Sequence, residues 1–344
     1  MDRTMRAYIL EQHGTTESAP LQRTTLPTPR PKGNQIRIKV SVCGLCHTDL
    51  DTVEGRLQPD GLPVTPGHQI VGTVDALGPQ ASKHRIGDRI GVTWLNWACT
   101  HCKYCRAGRE NLCDRARWTG LTAPGGYAEY TLVHEAFAYP IPTSFSDTEA
   151  APLLCAGVIG YRTVHLADIA NGQTIGLFGF GASAHIVIQI LKAQYPDSPI
   201  CVFTRGDHHR KLAHDLGAGW TGSPADTPPT PIDRAMDFTP VGETIPQALA
   251  LLAPGGRLVI NAIRKQTPVP PLDYVTHLWH ERHILSVANV TRRDALEFLP
   301  LAERIGIRPQ VETFAFDQLN EALLRLKQGE VQGAAVLRIG ESPA

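Results

Sequence analysis

The sequence predicts an α/β protein in which a β-rich, barrel-like domain precedes a doubly wound parallel sheet. Three features carry that prediction. The first third of the chain consists of short β-like runs separated by Gly and Pro turns. From about residue 156 to 290, apolar strands alternate with helical segments, the pattern of parallel βαβ units. A glycine turn, "GFGASA" (179–184), stands between the first of these strands and the helix after it. The expected organisation is 1–155, 156–290 and a C-terminal segment, 291–344.

In chain order, the first strands are "IRIKVSV" (36–42), "GHQIVGTVDALG" (67–78), "RIGDRIGVT" (85–93) and "GYAEYTLV" (126–133). "DTEAAPLLCAGVIGYRTVHLA" reads as one or two helices. Thr174 to Phe178 is the strand ahead of the glycine turn, and "PICVFTR" (199–205) is a second buried strand. "RAMDFTP" (234–240), "GRLVINAI" (256–263) and "HILSVAN" (283–289) add further apolar strands. "SPADTPPTP" (223–231) is a loop, and "RRDALEFLPLAERIG" opens the tail as a helix.

Composition narrows the function. The 344 residues are 42% hydrophobic and 19% charged, which fits globular domains with real cores. Lys+Arg and Asp+Glu number 33 each, so there is no basic excess to hold nucleic acid. No uninterrupted apolar run reaches transmembrane length, and the first residues lack a signal-peptide core. The expectation is a cytoplasmic protein with neither a nucleic-acid nor a membrane partner. In that compartment clustered thiols indicate metal or catalysis rather than disulfides.

"CTHCKYCRAGRENLC" (99–113) holds half of the eight cysteines, in the spacing C-x2-C-x2-C-x7-C. Cys99, Cys102, Cys105 and Cys113 suit a closed tetrahedral Zn2+ site of four thiolates, which is structural because no position stays open. An iron–sulfur cluster is the alternative for such a tetrad. His101, between two ligands, reads as a solvated loop residue.

This lobe (about 95–115), preceded by "GDRIGV" (87–92), resembles the zinc-containing alcohol dehydrogenases of the medium-chain dehydrogenase/reductase superfamily. The resemblance runs from "CGLCHTDL" to the C-terminal strand, and "LLCAGVIGYRTV" and "GFGASAH" are most similar to microbial branches near the cinnamyl-alcohol-dehydrogenase group. It implies a GroES-like catalytic domain completed by 291–344, a Rossmann cofactor domain and a homodimer or homotetramer. The implied activity is a zinc-dependent exchange of hydride between a small primary alcohol or aldehyde and a nicotinamide cofactor. Relatives acting on polyols or thiol adducts, and a zinc-lobed interaction protein without catalysis, are the alternatives.

The resemblance also implies a second, catalytic zinc. It aligns Cys46, His68 and Cys155 with that ion's ligands, three donors that leave a fourth position open. Spacing alone leaves Cys43 as a rival to Cys46; the resemblance assigns Cys46, and Cys43 and Cys201 become packing residues. Asp49 is implied to hold the other ring nitrogen of the ligand histidine. Thr48 is implied as the proton-relay hydroxyl, and His47 as a neighbour of the cofactor pyrophosphate. Two positions depart from the family: Gln69 replaces a common Glu, and Asp51 replaces a relay His, so the proton could leave through Asp51, water or a cofactor hydroxyl. Trp94, Leu95 and Trp118 are candidate pocket residues.

The glycine turn has its own logic. Gly179 allows the tight turn, Gly181 and Ala182 let a pyrophosphate approach, and Ala184 permits close helix–strand packing. The second strand ends at Thr204 and Arg205, without the acidic residue that selects NAD. A hydroxyl with Arg205 and Arg210 suits a 2′-phosphate, so NADP(H) is expected over NAD(H), with Asp207 the nearest rival acceptor. Two Zn2+ per chain complete the expected cofactors.

Overall fold

The computed structural model describes residues 3–340. It divides into two compact units. The first runs to Cys155 and is rejoined by Asn289–Glu303 and the chain from Arg308 onward; the second comprises Ala156–Ala288 and Arg304–Ile307.

The first unit is built on one long strand, Gln35–Leu45. Its alternating apolar residues Ile36, Ile38 and Val40 are buried, which fixes its register on one core. It pairs along one edge with Gln69–Leu77, and along the other with Tyr130–His134 for its first half and Ala334–Arg338 for its second. Register shifts between Arg37 and Ile38 and between Val40 and Val42 bend the sheet, as bulges do in barrel-like sheets. Arg89–Val92 and Ala138–Pro140 extend the sheet on one side and Val311–Ala315 on the other.

The second unit is a six-stranded, all-parallel sheet in the order Trp220–Gly222, Ile200–Phe203, Ile175–Phe178, Ile232–Asp237, Leu252–Ile260, His283–Ser286. Numbered along the chain this is the 3-2-1-4-5-6 order of a doubly wound dinucleotide fold. The central strands are wholly buried, and Phe178 stacks on Phe203 with ring centroids 4.2 Å apart. The last strand differs. His283–Ser286 is as apolar as the sequence suggests, yet all four residues are exposed, at the sheet edge.

The helical stretch Asp147–Ala167 is long and apolar enough to cross a membrane, with mean hydropathy 1.2, but 67% of its apolar window is buried inside the protein. It is not one regular helix. An α-helix, Asp147–Pro152, passes into a π-helical turn, Leu153–Gly157, before Val158–Ala167 resumes α-geometry.

Candidate active site

Cys46 lies one residue past the end of the long strand and caps the helix His47–Val53. Its sulfur accepts from Thr48 N at 3.4 Å, and Asp49 Oδ2 reaches back to accept from Cys46 N at 2.9 Å. A sulfur therefore takes the place of the usual cap oxygen, where the helix N-terminus favours a thiolate. His68 enters from the turn ahead of Gln69–Leu77, and Cys155 sits on the π-helical turn, an irregularity common at functional sites.

These three side chains converge, their ligand atoms all within 4.8 Å of one another. Cys46 Sγ is 3.4 Å from His68 Nε2 and 3.9 Å from Cys155 Sγ. Tetrahedral zinc with ordinary bond lengths separates two thiolate sulfurs by about 3.8 Å and a sulfur from an imidazole nitrogen by about 3.5 Å. The donor set and its spacing fit the ion. His68 turns its other nitrogen, Nδ1, to Asp49 Oδ1 at 3.5 Å. The charges compete strongly here. The Cys155 thiol, hydrogen-bonded to Cys46, holds Cys46 well below its ordinary value, while the same bond and burial push Cys155 up. Burial would lower the His68 pKa, but the charges of Asp49 and Cys46 outweigh it and raise it to about 10.

The lobe cysteines form a second quartet within 4.8 Å, with Cys99 and Cys105 sulfurs 3.9 Å apart. The His101 backbone holds Cys99 down, at about 6, while burial pushes Cys105 up to about 12. Four sulfurs so arranged fit one tetrahedral zinc. His101 is exposed and bonds through Nδ1 to Cys99 O at 2.6 Å, away from any ligand role. Glu110 of the lobe is buried and paired with Arg292 at 2.7 Å, which ties the lobe to the returning segment.

Around the three-ligand cluster, Thr48 is half-buried and His47 exposed. Gln69 is buried, and its amide lies over Gly44, where a Cβ would come within 2.5 Å of Gln69 Oε1. Trp94 stands 6.1 Å from the His68 ring and 5.3 Å from Trp118, centroid to centroid. Leu95 corrects the expectation placed on it. It is 0% exposed and belongs to the core, because the strand Leu95–Trp97 turns it inward beside half-buried Trp94. Asp51 is buried and ion-paired to Arg56, which also pairs with Glu54. Cys43 and Cys201 are buried thiols outside both clusters.

In the second unit, Gly179 has φ +84°, as a tight turn requires of glycine, and a Cβ on Gly181 would meet nothing within 4 Å. Ala182 is exposed and Ala184 fully buried. Among the described residues, the backbone N–H groups of Gly181, Ala182 and Ser183 make no hydrogen bond. Open space above free amides at a helix start fits a pyrophosphate. Thr204 is buried, and its carbonyl accepts from Arg210 Nε at 3.2 Å. Arg210 also reaches Asp207, whose side chain is 97% exposed, and Arg205 is exposed. A pair beside the glycine turn was not visible in the sequence. Asp237, 0% exposed at its strand end, binds Lys265 Nζ at 2.6 Å and accepts from Thr239 N at 2.9 Å. The apolar strand ending "AMDF" was the sole signal for Asp237, and none pointed to a lysine so far along the chain.

Residues 32–143 match the family described as alcohol dehydrogenase GroES-like domain. The chain is 44% identical to a Mycobacterium tuberculosis protein named "Probable alcohol dehydrogenase AdhA", over 98% of each sequence. It is 30% identical to an alcohol dehydrogenase of Geobacillus stearothermophilus, over 97% of this chain and 100% of that one. A solved cinnamyl alcohol dehydrogenase of Sorghum bicolor superposes with a TM-score of 0.84 at 26% identity, covering 99% of both chains.

Proposed function

The chain belongs to the zinc-containing alcohol dehydrogenase family of the medium-chain dehydrogenase/reductase superfamily, and from that premise we propose that it interconverts primary alcohols and aldehydes, holds two zinc ions and favours NADP(H). Its activity is that of an alcohol dehydrogenase using a nicotinamide cofactor. The observation that carries the finer reading is the convergence of Cys46, His68 and Cys155 within 4.8 Å.

A zinc ion there supplies a Lewis acid with one open position, which polarises an alcohol or carbonyl oxygen, and the nicotinamide supplies the hydride acceptor or donor. The chain's own residues do the rest. Two thiolates offset the charge of the ion. Asp49 keeps the proton on His68 Nδ1, leaving Nε2 as the donor atom. The Thr48 hydroxyl can accept the substrate proton and pass on its own. From Thr48 the proton leaves through Asp51, which is paired with Arg56, through water or through a cofactor hydroxyl. Support for a small substrate is the aromatic pair beside the cluster, with Trp94 6.1 Å from the His68 ring and 5.3 Å from Trp118.

Support for NADP(H) is the absence of a carboxylate at Thr204 together with exposed Arg205 and part-exposed Arg210. Support for a homodimer is the exposed edge strand His283–Ser286. Ile284 and Leu285 are 39% and 38% exposed there, and exposed Tyr274 and Trp279 lie near it in the chain. Such an edge is a template for antiparallel pairing with a second copy. The eight free thiols, six of them in two ligand clusters, suit the reducing cytoplasm. Elemental analysis with kinetics in both cofactors tests the reading. Two zincs per chain and a lower KM for NADP+ are expected; one zinc overturns the catalytic site, and a clear preference for NAD+ overturns the cofactor assignment.

A further inference from the structure

His185 closes the stretch "GFGASAH" and stands on the first turn of the helix Ala184–Gln194. Its ring bonds backward. Nδ1 lies 3.3 Å from the Gly181 carbonyl oxygen, and His185 N donates to the same oxygen at 3.2 Å. A carbonyl oxygen only accepts, so Nδ1 carries the ring proton. Burial holds the ring below its ordinary pKa, against the pull of the Gly181 bond, and the imidazole is neutral. Nε2 is then a bare acceptor, buried and, among the described residues, without a hydrogen-bond partner. An unpaired polar atom in a buried position is unfavourable, so an apolar side chain of similar size would suit the packing better. What histidine adds here is the bond to Gly181.

The bond also sets the far side of the Gly181–Ala182 peptide. That unit is planar and trans, so the Gly181 C=O and the Ala182 N–H point in opposite directions. Two donors from the helix hold the carbonyl toward it. The Ala182 N–H therefore points away, and among the described residues it makes no hydrogen bond. Ala182 is exposed, and a Cβ on Gly181 would meet nothing within 4 Å, so an anion can reach this amide. A carbonyl that accepts two bonds also polarises its own peptide, which strengthens the N–H as a donor.

We infer that His185 is a positioning residue for the cofactor: through the Gly181 carbonyl it aims the Ala182 N–H at the pyrophosphate. The inference rests on the reading that the glycine turn holds a nicotinamide dinucleotide. Its test is calorimetric titration of the full-length, zinc-loaded protein with NADP+, NAD+ and adenosine, in the native chain, His185→Leu and His185→Asn. Leucine fills the space without a donor, whereas the asparagine amide donates from near the place of Nδ1. His185→Leu should keep or raise the Tm and weaken both dinucleotides by the same factor, about fivefold, the worth of one hydrogen bond. Adenosine, which lacks the pyrophosphate, should bind as it does to the native chain. His185→Asn should recover most of the dinucleotide affinity despite its poorer packing. Unchanged dinucleotide affinity in His185→Leu overturns the proposal, and so does weaker binding in His185→Asn than in His185→Leu. Equal weakening of adenosine, or a His185→Leu chain that does not fold, also overturns it, by assigning the ring to the core alone. A native chain that binds neither dinucleotide sinks the cofactor reading, whereas a binding chain indifferent to His185→Leu sinks this inference only.

Discussion

His68 holds Nδ1 3.5 Å from Asp49 Oδ1, and the two side chains are only 3% and 2% exposed. Water cannot substitute for either partner there. Asp49→Asn should weaken binding of the second zinc by about 10–100-fold. Competition with a chelator of known affinity reads the change, and native affinity in the variant would show that Asp49 does not orient the ligand.

Thr48 is half-buried on the first turn of the helix capped by Cys46. Removing its hydroxyl should cost the proton step alone. Thr48→Ala is expected to lower kcat by about 10²–10⁴-fold with zinc content intact, and Thr48→Ser to recover most of it. Steady-state rates paired with metal analysis separate this from loss of the ion; equal rates for Ala and Ser would remove Thr48 from the relay.

The lobe quartet should act on stability. Cys102→Ser opens a four-sulfur shell in a segment of otherwise exposed, polar residues such as Lys103, Arg106 and Arg109. We expect loss of one zinc and a Tm lower by several degrees, while kcat/KM measured well below that Tm changes less than about threefold. A variant inactive at every temperature would show that the lobe also shapes the catalytic cluster.

Glu54 makes an acid-side prediction. Burial would raise its pKa, but bonds from Lys327, Thr16 and Arg56 outweigh that and hold it at about 2, against 4.5 when unpaired. A lowered folded-state value means stability that is full above about 4.5 and is lost as pH falls through about 2. Lys327→Met should narrow that gap. Acid unfolding followed by circular dichroism is expected to start at higher pH in the variant, and coincident curves would discount the pairing.

The lobe was legible because its four ligands are contiguous and their spacing is itself the signal. The catalytic cluster was not: Cys46 lies 22 residues from His68 and 109 from Cys155, and no local pattern spans such distances. Only likeness to known zinc enzymes aligned them. The doubly wound sheet was readable from its buried strands, but His283–Ser286 has the same composition and stays exposed, since burial there depends on position in the sheet rather than on residue type. Leu95 misled for a related reason: strand direction decides which of Trp94 and Leu95 faces outward.

The long strand Gln35–Leu45 is made long before its neighbour beside Cys43–Leu45, the strand Ala334–Arg338. Until that partner arrives, the backbone leading into Cys46 has an open edge, and the ribosome has already released the whole parallel sheet. Pairing across such sequence separation is slow to form. The nascent enzyme therefore passes through a stage with its cofactor half complete and its metal half unfinished, when a chaperone or an aggregating neighbour can reach the edge first.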